Sequence, residues 1–123
     1  MANIRKFEDM EAWQGARTLV RAIYRATQCG AFAHDSSLRD QAQRAAVSIM
    51  SNIAEGFERG SARDFCRFLS IAKASAGEVR SLLYVALDLA YLDEPSHKHL
   101  AEQATSLSRQ LGGLAKYLSK AAG

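Results

Sequence analysis

The sequence predicts an all-α protein, an antiparallel up-down-up-down four-helix bundle. Three observations carry this expectation. Hydrophobic residues make up 48% of the 123 positions, aromatic residues only 8%, and there is a single proline, Pro95. Four segments repeat apolar residues at steps of three and four, the helical period. The connections between the later segments are short, which makes consecutive helices antiparallel neighbours. At this length one domain, residues 1–123, buries roughly two thirds of its unfolded surface, so the fold requires neither a metal nor a disulfide.

The first helix is expected from about Asp9 to Gln28, with Ala12, Trp13, Ala16, Leu19, Val20, Ile23 and Tyr24 on its apolar face. Asp9 is the expected N-cap, and Phe7 before it can pack back as a staple. The run Cys29-Gly30-Ala31-Phe32-Ala33-His34-Asp35-Ser36-Ser37 breaks the period and reads as a loop. The second helix is expected from about Ser37 to Phe57, capped by Ser36 or Ser37, with Gly56 and Gly60 marking its end. Ser61-Ala62-Arg63-Asp64 is a capping box with Asp in place of Glu. It starts a third helix from about Ala62 to Tyr91, about 45 Å long at 1.5 Å per residue. The fourth is expected from about Ser96 to Lys120, with Pro95 suited to its first position. Gly112-Gly113 inside this helix costs about 1 kcal/mol per residue against alanine, a cost that close approach of another helix, in this subunit or the next, would justify.

Helix three carries apolar residues on two sides. Beyond the stripe that includes Phe65, Phe68, Leu69 and Ala72, it has Ile71, Leu82, Val85 and Leu89. A helix apolar over more than half its circumference is buried on two sides, and another copy of the chain is the simplest second surface. The formal charge of +3 and pI near 9.1 form a mild basic bias, which permits a polyanionic partner without demanding one. Cys29 and Cys66 form no CxxC pattern. With no secretory signal, the expectation is two reduced thiols in a cytoplasmic protein. No run approaches the ~18 apolar residues of a membrane span.

Residues 44–65 raise a separate question, because Ser48, Asn52 and Glu55 stand close to the apolar face formed by Ala45, Ala46, Ile49, Met50 and Ile53. Phe7-Glu8-Asp9-Met10-Glu11-Ala12-Trp13-Gln14, then Gln43-Arg44-Ala45-Ala46-Val47-Ser48-Ile49 and Ser51-Asn52-Ile53-Ala54-Glu55-Gly56, resemble the family named for the 23S rRNA intervening sequence. Phe65, Phe68-Leu69, Ile71-Ala72, Ser75 and Glu78 are similar to its third helix. The resemblance covers nearly the whole chain. It implies an antiparallel four-helix bundle assembling as a barrel-like homopentamer, encoded in bacterial rRNA intervening sequences or elsewhere in bacterial genomes. It also implies kinship in fold with the accessory protein of diversity-generating retroelements, a basic pentamer that binds a reverse transcriptase and nucleic acid. The sequence departs from the family in lacking proline at Met50 and near Phe32, and glycine at Ala74. Helix two should therefore run straighter through position 50.

For Asn52, Glu55, Ser75 and Glu78 the expectation is a structural polar network across helices two and three, because a satisfied buried network fixes register. A metal-dependent enzyme is the contrasting reading. Such a site would need carboxylates and histidines on facing helices, whereas His34, His97 and His99 fall in or near loops, so no catalytic residue, metal ligand or cofactor is expected. Arg17, Arg21 and Arg25 form a basic stripe on helix one, and Arg109, Lys116 and Lys120 another on helix four. In an up-down bundle these can merge, and an oligomer would repeat them as a ring that attracts phosphates with strong salt dependence. Arg39, Arg44, Arg59, Arg63 and Arg67 can add a second patch or be tied up in ion pairs. The function expected is that of a non-enzymatic accessory or scaffold protein, partnered by RNA, DNA or a reverse-transcriptase-like protein. The contrasting class is a structural or protein-interaction module without nucleic-acid contact.

Overall fold

The structure, a computed structural model, describes residues 4–122. A single 3₁₀ turn at Phe7–Asp9 precedes five helices: α1 (Glu11–Thr27), α2 (Gly30–His34), α3 (Ser36–Glu58), α4 (Ala62–Asp88) and α5 (Glu94–Ala122). The fold is all-α, and no strand occurs among the described residues. The long helices contact one another in a ring, α1 on α3, α3 on α4, α4 on α5 and α5 on α1. One apolar cluster runs through all four, from Ala16, Leu19 and Ile23 through Ile49 and Ile53 to Leu69, Val79, Leu83, Leu107 and Leu111.

Cap chemistry sets where the helices begin. The Asp9 expectation is corrected: Asp9 lies in the 3₁₀ turn, and the extended Met10 holds the N-cap of α1 without a side-chain cap bond. Phe7 does pack back, edge-on to Trp13 with ring centroids 5.3 Å apart. For α3 the cap is Asp35 rather than Ser36 or Ser37, its Oδ1 accepting the Leu38 N–H at 3.1 Å. Ser61 caps α4 as its sequence indicates, accepting the Asp64 N–H at 3.1 Å. Asp93 accepts the Ser96 N–H at 2.8 Å, so α5 starts at Glu94 with Pro95 in its first turn. The Ser96 hydroxyl and N–H together hold the Asp93 carboxyl below the usual carboxylate range.

The expected loop at 29–37 contains a further helix. α2 opens at Gly30, whose φ of 56° few other residues tolerate, and drives Phe32 into the core at 1% exposure. Gly56 does not end α3; the helix runs on to Glu58, and Gly60, with φ 85°, makes the turn. α4 ends three residues earlier than expected, at Asp88. There the Tyr91 N–H reaches back to Ala86 O at 2.8 Å and the Ala90 N–H to Leu87 O at 3.0 Å, a Schellman closure. Its left-handed residue is Ala90, at φ 60°. A left-handed alanine is strained by about 1 kcal/mol relative to glycine. Ala90→Gly is therefore expected to stabilise the protein by up to about 1 kcal/mol in a denaturant titration, and no change would show the strain relieved elsewhere.

Side-chain contacts show which stretches of neighbouring helices meet. Ser48 on α3 meets Ser75 on α4. Across α4 and α5, Cys66 Sγ–H donates to Ala115 O at 3.3 Å, while Tyr84 packs on His97 with centroids 4.7 Å apart. The Gly112 position is occupied by this chain's own α4: a Cβ there would lie 3.3 Å from Lys73 Cε, while at Gly113 it would meet nothing within 4 Å.

Candidate functional site

Three of the sequence's polar positions come together around Ser48, which was not among the four expected to form the network. Asn52 Nδ2 donates to Ser48 O at 2.8 Å and to Ser48 Oγ at 3.1 Å, and Ser48 Oγ shares a 3.0 Å hydrogen bond with Ser75 Oγ. The expected four-residue network is corrected in its two carboxylates. Glu55 is exposed and pairs with Arg59 at 3.1 Å, one turn along the same helix. Glu78 is exposed on α4. Position 55 shares Ser48's azimuth to within about 20°, but it lies two turns further along α3, where its carboxylate is taken by Arg59. What remains is a chain of neutral donors and acceptors spanning α3 and α4. It suits register fixing better than proton transfer, since none of its members titrates near neutrality.

A second polar link joins α1 to α3. Thr27, fully buried, donates from Oγ1 to Ile23 O at 2.8 Å and accepts from Gln43 Nε2 at 2.9 Å. His97 lies inside α5 rather than in a loop, and is buried. Among the described residues no three His, Cys, Asp or Glu side chains are grouped to hold a metal, and both cysteines are free thiols. No helix among them is long and apolar enough to cross a membrane.

The basic residues divide by what they touch. Arg39 donates to Asp40 at 3.0 Å and to Ala33 O at 2.7 Å, bracing α2 against α3. Arg59 and Arg67 place their guanidinium carbons 5.0 and 4.6 Å from the Phe68 ring centroid. That is cation–π distance, so much of the expected second patch is structural. Arg17 lies over Trp13 at 5.7 Å but remains exposed, as do Arg21, Arg25, Arg109, Lys116 and Lys120. Among the described residues none of these six forms an ion pair.

The hollows along the α1–α5 seam hold neither stripe. They are lined by Asp9, Glu11, Gln103 and Gln110, with Glu102 and no Lys or Arg. Arg109 instead faces the other seam of α5, where hollows of about 510 and 450 Å3 share Thr105 and Arg109. Lys98 lines the first of these, and Lys73 and Arg80 the second. Sequence reasoning passed over Lys73 and Arg80, although a spacing of seven places them on one helical face.

Comparison with known proteins places this geometry. The family described as 23S rRNA-intervening sequence protein matches residues 8–113. Among solved structures, a protein of unknown function from the S23 ribosomal protein family of Bacteroides thetaiotaomicron superposes with a TM-score of 0.74 at 20% identity. The alignment covers 85% of this chain and 98% of that one, a likeness of fold. No curated protein matches the sequence.

Proposed function

Because the chain belongs to the 23S rRNA-intervening sequence protein family, we propose that it is a non-enzymatic up-down-up-down bundle that self-assembles, as a barrel-like homopentamer, to present a basic surface to nucleic acid. The observation that carries the nucleic-acid reading is the row Arg17, Arg21 and Arg25 along α1, exposed and unpaired with any carboxylate among the described residues. Free guanidinium groups in register release counterions from a phosphate backbone, and symmetric copies would multiply the effect. Self-assembly is supported by Ile71 and Val85 on α4 and Leu89 at its C-cap, exposed at 40, 42 and 51%. They lie close to one helical azimuth, apolar side chains that water penalises on either side of the exposed Glu78. A protein that handles nucleic acid, such as a reverse transcriptase, would be a partner of the assembled form.

Filter binding of RNA and DNA across a salt series tests this reading. Wild type is expected to bind at low salt with a negative log–log slope. Arg17→Glu/Arg21→Glu/Arg25→Glu should flatten that slope by about 2, from roughly 0.7 per phosphate contact on a single strand. Absence of binding at low salt, or unchanged binding by the triple variant, would overturn it. Light scattering showing a monomer at micromolar concentration would remove the assembly. Assembly without nucleic-acid binding would instead mark a protein-interaction module.

A further inference from the structure

We propose that the groove between α4 and α5 is a binding site for single-stranded nucleic acid, with phosphates held by Lys73, Arg80 and Arg109 and a base stacked on Tyr84. This rests on the nucleic-acid reading above and deepens it, by adding to the α1 stripe a second, more specific contact on a different face. Two hollows join end to end along this seam because both are lined by Thr105 and Arg109. From Lys98 to Gly112 the seam follows α5 for roughly 20 Å at helical rise. That length suits a short run of nucleotides.

Basic side chains dominate the lining. Four of the molecule's 16 Lys and Arg side chains line the groove, Lys73, Arg80, Lys98 and Arg109, against one of its 13 Asp and Glu, Glu102. The groove's lining therefore carries a formal charge of +3. None of the four cations is in an ion pair among the described residues. Thr105 and Ser108 add hydroxyl donors to the lining, and Gly112 makes room for the Lys73 side chain that packs over it.

Tyr84 supplies the aromatic element. It is 56% exposed and lines the upper hollow, yet it packs on the buried His97 ring at 4.7 Å, tilted by 54°. An exposed tyrosine braced from behind is a platform whose conformational cost is already met by the fold. Cations along a backbone path with one aromatic ring beside it are the means by which single strands are held without sequence preference. A duplex keeps its bases stacked inside and cannot use Tyr84, so the arrangement favours the single strand.

Fluorescence anisotropy of labelled oligo(dT) and oligo(U) of about 12 nucleotides, within the span of single-strand sites, and of a duplex of equal length, tests this with the full chain. Lys73→Glu/Arg80→Glu should weaken single-strand binding by about tenfold or more. Tyr84→Ala should weaken it by on the order of tenfold, the effect of one lost base stack, and Tyr84→Phe should restore it. These side chains are exposed, so unchanged melting curves would confirm that the variants fold. Failure of wild type to bind any oligonucleotide at low salt would overturn the nucleic-acid reading itself. Wild-type binding lost in the α1 arginine variant but retained in the groove and Tyr84→Ala variants would overturn the groove alone. Equal affinity for duplex and single strand would also overturn it.

Discussion

Replacing Gly56 with alanine is expected to destabilise the protein by about 2 kcal/mol, although the change improves helix propensity. Gly56 is buried within α3, and a Cβ at this position would lie 2.6 Å from Phe68 Cβ and 3.1 Å from Phe65 Cδ1. The nearer atom is attached directly to the α4 backbone, so no rotamer change relieves the contact and α4 itself must move. Overpacking of this kind costs about 1–3 kcal/mol, and a clash against a Cβ belongs at the upper end. Alanine's helical preference returns about 1 kcal/mol. In a chain of this size the net loss should lower the melting temperature by roughly 5–10 °C. Gly77→Ala is the internal control. It is also inside a helix, but its added Cβ meets nothing within 4 Å, so the same substitution should stabilise by up to about 1 kcal/mol. Calorimetry giving the two variants the same sign would show that propensity, not the α3–α4 approach, governs position 56.

Gly56 also shows what the sequence could and could not convey. As letters, Ala54-Glu55-Gly56 followed by Phe57, Glu58, Arg59 and Gly60 suggests a helix stop with two glycines. Only the partner helix distinguishes a glycine that turns the chain, Gly60, from one that lets two backbones approach, Gly56. The long amphipathic stripes were legible because burial enforces them at every turn. Ala16, Leu19 and Ile23 on α1, Ile49 and Ile53 on α3, and Leu100, Ala104, Leu107 and Leu111 on α5 all lie in one core. α2 was not legible, because five residues opening on a glycine show no period. The azimuths of charged residues were only partly legible. A spacing of four identifies a stripe such as Arg17, Arg21 and Arg25, but whether Arg109 faces α1 or α4 depends on how α5 is rotated against its neighbours. Azimuth alone does not place Glu55 either, which stands one turn from the Ser48–Asn52–Ser75 chain and nonetheless points to solvent beside Arg59.

Phe32→Ala is expected to have the largest effect of any single truncation, a loss of about 3–5 kcal/mol, against a total stability of about 5–15 kcal/mol for a domain. Phe32 is 1% exposed and stacks on Tyr91 at a centroid distance of 5.4 Å. α2 is too short to hold itself together, so its position depends on this ring. The Tyr91 hydroxyl donates to Asp35 Oδ2 at 3.0 Å while Asp35 Oδ1 caps α3. One aromatic pair and one carboxylate therefore tie α2, the start of α3 and the α4–α5 turn together. Asp35→Ala should cost about 1 kcal/mol through the cap alone, with the tyrosine bond in addition. The hydrogen bond to Asp35, then desolvation and the Asp35 charge, raise the Tyr91 phenol above its ordinary value of 10.0. The fold thus favours the neutral phenol. That contribution is fully present below the unfolded value and is lost as pH rises through the raised folded value. Thermal melts from about pH 8 to about pH 11 should show an alkaline loss of stability that Tyr91→Phe removes, while the phenylalanine ring keeps the stack on Phe32. An alkaline limb unchanged in Tyr91→Phe would place the titrating group elsewhere. A Phe32→Ala variant within about 1 kcal/mol of wild type would show that α2 does not anchor this end of the bundle.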